Sequence, residues 1–166
     1  MMVSIATLGP LGRLRAPGTW GSAAGLLWWS LVVRNLAVGK WTYGSWLHSK
    51  WYHELVFDSL VVMAAIFFCG VAAFLLKKKD PSEVILDEFV AMPLVFLFNK
   101  NLHLGSTKGF LLVIVGFLLF RLFDITKPFG IKALERLPGG FGIVLDDVMA
   151  AFYANLVLQG IAFLVS

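Results

Sequence analysis

Residues Leu55 to Leu76 form an apolar run of 22 residues that ends in Lys77-Lys78-Lys79. As a helix rising 1.5 Å per residue it is about 33 Å long, enough to cross a hydrocarbon core of roughly 30 Å. A chain that enters lipid must satisfy every backbone N–H and C=O internally, which leaves helices or a closed barrel. A run this uniformly apolar, without in–out alternation, predicts a helix. Four further apolar segments accompany it: Trp20 to Val38 (interrupted by Arg34), Val84 to Phe98, Gly109 to Phe123 and Ile143 to Val165. Composition agrees. The chain is 59% hydrophobic and 14% charged, against about 45–50% and 25% in soluble domains. The expected fold is an all-α, polytopic membrane bundle of about five hydrophobic helices, forming one domain over residues 1–166.

Segments Val84–Phe98 and Gly109–Phe123 are short, about 22 Å each, so they are expected to be re-entrant, to thin the bilayer or to extend through flanking residues. The net charge of +4 does not point to nucleic acid, because the basic residues sit beside apolar segments, where they set orientation and meet anionic lipid. Arg13/Arg15, Lys77–Lys79 and the stretch Arg121–Arg136 fall on one side if the N-terminus is cytoplasmic. The loops Lys40–Glu54 and Asn99–Lys108 then lie outside. The start does not read as a cleaved signal peptide, since Arg13 and Arg15 follow the short apolar stretch Met1–Leu11.

This topology brings Asp80, Glu83, Asp87, Glu88, Asp124, Asp146 and Asp147 to cytoplasmic helix ends. Glu54 and Asp58 lie at the outer surface and Glu135 in an inner loop. Ionised carboxylates near hydrocarbon cost several kcal/mol unless paired or metal-bound, so Asp87 and Glu88, inside an apolar run, call for a role. Asp80, Pro81 and Glu83 have the spacing of a capping-box helix start. That would place Glu83 and Asp87, four apart, on one helix face where both could serve one cation.

Two more constellations carry chemistry. In FRLFDITKP (120–128), Arg121 and Asp124 share a helix face, and Arg121 with Lys127 offers a guanidinium fork and an ammonium to a phosphate. In GGFGIVLDD (139–147), glycines would let backbone approach a phosphate near a helix N-terminus. Asp146 and Asp147 point about 100° apart, so one suits a metal while the other suits Lys127 or Arg121. A weaker signal is Thr19 in PGTWGS (17–22), either a helix cap or a phosphate contact. Cys69, the lone cysteine, reads as core packing.

His48, His53 and His103 all fall on the outer side, so a histidine nucleophile beside these carboxylates is not expected. Carboxylate-rich sites without histidine suit hard cations such as Mg²⁺. With Arg and Lys beside them, metal-assisted phosphoryl transfer is implied.

At PGTWGS (17–22), DPSEVILDEFV (80–90), FRLFDITKP (120–128) and GGFGIVLDD (139–147) the sequence resembles the phosphatidylglycerophosphatase A family. These stretches occur in the family's order and extend the resemblance over nearly the whole chain from Pro17. The resemblance implies a Mg²⁺-dependent enzyme of the bacterial cytoplasmic (inner) membrane. It would release phosphate from the phospholipid phosphatidylglycerophosphate at the cytoplasmic surface, leaving phosphatidylglycerol. Together with the residue reading it makes Asp87, Glu88 and Asp124 catalytic candidates, Arg121, Lys127 and Thr19 phosphate ligands, and Glu83, Asp87, Asp146 and Asp147 metal ligands. The expected step is in-line attack of water, with Asp87 or Glu88 as general base; a phosphoaspartyl route through Asp124 is the alternative. The rival readings are a CDP-alcohol phosphatidyltransferase, whose spaced aspartate signature is not found, and an ion transporter, which favours ionisable groups near mid-membrane.

Overall fold

The computed structural model describes residues 1–33, 51–99, 102 and 106–165, with backbone alone at 32–33 and 51–54. Its elements are α1 (Met2–Ala6), α2 (Pro17–Trp28), α3 (Trp51–Leu76), α4 (Leu86–Leu94), α5 (Thr107–Thr126), α6 (Ile131–Leu134) and α7 (Gly140–Leu164). The fold is all-α; no strand occurs among the described residues. Among the described residues three helices are long and apolar enough to cross a membrane: Leu55–Leu76 within α3, α5 and α7. The fourth apolar segment is therefore not short. Ser106 caps α5 by accepting from the Gly109 N–H at 3.0 Å, and the helix runs on to Thr126, giving about 30 Å.

The first apolar segment begins at Pro17, which fills the first helical position where its missing N–H costs nothing. Beyond Trp28 the helix widens into a π turn over Trp29–Val33. Trp29 is buried there against Phe96, ring centroids 4.2 Å apart. The rest of that segment, 34–38, lies outside the described residues, as do His48, His103 and most of the two predicted outer loops.

The third segment departs most from a plain span. Only nine residues, α4, are helical, about 13 Å of rise, and they form the buried centre of the molecule. Val90, Ala91, Met92 and Pro93 are all buried, with α2, α3 and α7 around them. α2 approaches through a small-residue face, as helices in lipid commonly do. A Cβ on Gly21 would lie 2.8 Å from the Ile85 carbonyl oxygen, and one on Gly25 would overlap the Phe89 carbonyl.

Gly140 shows what the glycine cluster at the head of α7 does. A Cβ there would overlap the Ile66 carbonyl oxygen and lie 2.8 Å from the Gly70 N, so the residue lets α7 cross α3 backbone to backbone. Gly140 thus serves a helix crossing, while a Cβ on Gly139 would meet nothing within 4 Å. Gly140→Val is expected to destabilise the fold by about 3 kcal/mol, the upper end for overpacking. The check is a lowered thermal midpoint and loss of monodisperse protein in detergent.

Candidate active site

Four helix ends or their flanks meet around one polar cavity of about 310 Å³. Residues 16–18 enter from the head of α2, Asp80, Pro81, Ser82 and Val84 from the approach to α4, Asp87 and Glu88 from its first turn, Arg121, Asp124 and Lys127 from the tail of α5, and Ile143, Asp146 and Asp147 from the head of α7. The depth coincidence of the acidic residues is thus a convergence in space.

Asp87, Glu88 and Asp147 form its acidic centre. One oxygen from each lies within 4.8 Å of the other two. Asp87 and Asp147 are 7% and 3% exposed. Asp87 Oδ1 and Glu88 Oε2 are buried without a hydrogen-bond partner. Burial, then the charge of Glu88, pushes the Asp87 carboxyl well above the usual carboxylate range; burial also raises Glu88. Three carboxylates this close, two of them carrying an orphaned oxygen, fit a hard divalent cation, which would supply missing contacts and neutralise the charge. Asp87 and Glu88 stand in the first turn of α4, where the helix dipole favours negative charge.

The remaining acids are held by bases. Arg121 Nη1 donates to Asp124 Oδ2 at 2.6 Å and to Ser22 Oγ at 3.4 Å, and stands 4.0 Å from Glu88 Oε1. All three contacts use Nη1, so the guanidinium can still offer Nη2 and Nε. Lys127 Nζ donates to Asp146 Oδ2 at 2.6 Å and Glu135 Oε1 at 2.7 Å, leaving one of its three protons. Burial opposes the ammonium charge, but the two carboxylates outweigh it and hold Lys127 above its ordinary pKa, while Lys127 in turn lowers Glu135. Of the adjacent aspartates, Asp147 joins the acidic centre and Asp146 faces Lys127.

Two sequence candidates lie elsewhere. Glu83 does not join the cluster: its carboxylate accepts from Lys78 Nζ at 2.9 Å at the surface. The expected capping-box helix from Asp80 does not form, because tertiary contacts take this backbone first. The Ile85 N–H donates to the Ala6 carbonyl at 3.0 Å, Gly12 packs against the Glu83 carbonyl, and helix begins only at Leu86 with Ile85 as N-cap. Thr19 is exposed in the first turn of α2 and does not line the cavity; the N-cap is Ala16. Pro17 at the first helical position moves the cap back to Ala16 and turns Gly18, not Thr19, toward Glu88 and Arg121. Ser22 and Glu135 were not anticipated as partners of the two bases. Their signal was faint: Ser22 lies one helical turn beyond Gly18, and Glu135 is the acid of an otherwise basic loop.

The phosphatidylglycerophosphatase A family model matches residues 4–162. A phosphatidylglycerophosphatase A of Haemophilus influenzae is 32% identical over 149 residues, covering 89% of this chain and 80% of that protein. One of Escherichia coli is 29% identical over 139 residues, 81% of this chain and 67% of that protein. A putative phosphatidylinositol-3-phosphatase of Bacteroides thetaiotaomicron is 36% identical over 80 residues, 48% of each chain. No solved structure is significantly similar. With the family match spanning the cavity's every contributor and two relatives of that name aligned over most of their length, the chain belongs to the phosphatidylglycerophosphatase A family.

Proposed function

We propose that this protein hydrolyses the terminal phosphomonoester of phosphatidylglycerophosphate to phosphatidylglycerol and phosphate, with Mg²⁺ held by Asp87, Glu88 and Asp147. The observation that carries the reading is the juxtaposition of that carboxylate triad with Arg121 and Lys127 in one cavity. Bound there, Mg²⁺ would supply Lewis acidity toward the phosphoryl oxygens. Arg121 presents its free edge to the phosphate as a fork, held in aim by Asp124 and Ser22. Lys127, which lines the same cavity, adds its third proton. Water attacks phosphorus in line, the carboxylate of Asp87 or Glu88 takes its proton, the bond from phosphorus to the glycerol oxygen breaks, and that proton passes on to the departing oxygen. The alternative nucleophile, Asp124, is already engaged with Arg121 at 2.6 Å, which favours the water route; absence of labelled protein after quenching with radiolabelled substrate would support it.

The basic residues Arg13, Arg15, Lys77–Lys79, Lys132 and Arg136 are all exposed, and the loops that bear them adjoin segments lining the cavity. This supports a cytoplasmic-facing site in a bacterial inner membrane by the positive-inside bias. It also argues against a transporter, whose ionisable groups would sit at mid-span. A phosphatidyltransferase would release no phosphate.

The assay is phosphate release from phosphatidylglycerophosphate in detergent. EDTA is expected to lower it by about 10²-fold or more, with recovery on adding Mg²⁺. Metal-bound protein that releases no phosphate sinks the reading. Because a relative is named for another lipid phosphomonoester, phosphatidylinositol 3-phosphate belongs beside the first substrate in the same assay.

A further inference from the structure

The acidic triad is divided between two helices: Asp87 and Glu88 lie on α4, Asp147 on α7. Both helices start at the cavity and run away from it, so they are parallel neighbours. Their register is constant at sixty residues. Asp87 matches Asp147, the fully buried Ala91 matches the fully buried Ala151 in the same core cluster, and Val95 matches Asn155. Both alanines are fully buried in that core and add only a methyl each to it. The far end of this ladder is closed by an amide: Asn155 Nδ2 donates to the Val95 carbonyl at 2.9 Å and to the Leu97 carbonyl at 3.0 Å.

These carbonyls need a partner. α4 stops after nine residues, with Pro93 inside its last turn, and the chain continues through tight turns in which Phe96 N–H donates to Pro93 and Leu97 N–H to Leu94. A helix end leaves its last carbonyls without intrahelical donors, and inside an apolar core neither water nor lipid supplies any. Asn155, itself 7% exposed, fills that deficit. Its own oxygen accepts from Gln159 Nε2 at 2.7 Å, which fixes which way the amide faces.

We propose that Asn155 is a positioning residue: by pinning the inner end of α4 to α7 it sets the register that brings Asp87 and Glu88 to Asp147. At the near end the carboxylates repel one another, so the attraction that holds the pair in register must come from elsewhere along the ladder. The proposal rests on the functional reading above. It predicts a particular division of effects, because the phosphate-holding bases sit on or just after α5, while the hydrogen bonds of Asn155 go to Val95, Leu97 and Gln159.

The test compares full-length wild type in detergent with Asn155→Leu, Gln159→Leu and, as a control for general loss of packing, Leu158→Ala. One readout is hydrogen exchange of the backbone over residues 86–98. The other is the Mg²⁺ concentration giving half-maximal phosphate release. In Asn155→Leu, exchange over 86–98 is expected to quicken by about tenfold. The Mg²⁺ requirement should rise by about tenfold, as when a supporting partner of a metal ligand is lost, with the lipid KM changed by less than about twofold. Gln159→Leu should move both in the same direction by a smaller factor. Leu158→Ala should lower the thermal midpoint and leave the Mg²⁺ requirement alone. A wild-type Mg²⁺ requirement in Asn155→Leu overturns the proposal, whether or not exchange quickens. If wild type releases no phosphate, the functional reading fails separately. Mn²⁺ binding then decides: about tenfold weaker binding in Asn155→Leu upholds the positioning role, and equal binding overturns it.

Discussion

Asp87→Asn is expected to lower phosphate release by about 10³-fold or more while making the metal-free protein more stable. The two effects have one cause. Asp87, Glu88 and Asp147 place three oxygens within 4.8 Å in a buried site, and like charges at that distance disfavour one another's ionised forms. Asparagine keeps the shape and one oxygen but removes a charge, so repulsion in the empty site falls and stability should rise by about 1–2 kcal/mol. The same change removes an anionic ligand and one candidate proton acceptor, and a 10³-fold loss corresponds to about 4 kcal/mol of transition-state stabilisation. The measurements are phosphate release at saturating Mg²⁺ and the thermal midpoint in EDTA. Turnover at the wild-type rate would remove Asp87 from the site. A lowered midpoint in EDTA would show that the carboxylate serves the fold, not the chemistry.

That division between fold and function also marks what the sequence made legible. The long spans were readable because lipid imposes one requirement on every residue, so sustained apolarity over residues 60–76 specifies a helix without knowledge of its neighbours. The convergence of Asp87, Glu88, Asp124, Asp146 and Asp147 was readable for the complementary reason: charges beside apolar runs carry a cost that something nearby must offset. Where a local rule competed with a tertiary contact, the contact won. The capping-box pattern at Asp80 was sound as local chemistry, yet the N-terminal segment takes the Ile85 N–H and moves the helix start to Leu86. The glycines before Asp146 read as a phosphate approach, and only the position of Ile66 shows that Gly140 serves a helix crossing. Asn155 carried no signal in sequence, since a lone amide in an apolar helix says nothing of which carbonyls it will meet.

Arg121 tests the phosphate side of the site, and its two substitutions should separate charge from shape. In Arg121→Lys the ammonium can still neutralise Asp124, whose carboxylate lies 2.6 Å from the present Nη1. It cannot hold Asp124 and also present a second, flat pair of donors to phosphate, which only the guanidinium fork does. The fold should therefore survive while kcat/KM falls by about 10²-fold, the size of losing one well-aimed donor to developing phosphoryl charge. Arg121→Met goes further: with the side chain only 18% exposed, it leaves Asp124 beside Glu88 with no neutralising cation between them. Breaking a buried pair on one side costs about 3–5 kcal/mol, so this variant should lose stability as well as activity. Adding Asp124→Asn to Arg121→Met should restore much of the stability and none of the activity, because the stranded charge is gone but the phosphate donor is still missing. Rates and detergent thermal midpoints of the three variants decide the matter. Arg121→Lys turning over within about twofold of wild type would mean that a single positive charge suffices, and the fork would have no part in holding the phosphate.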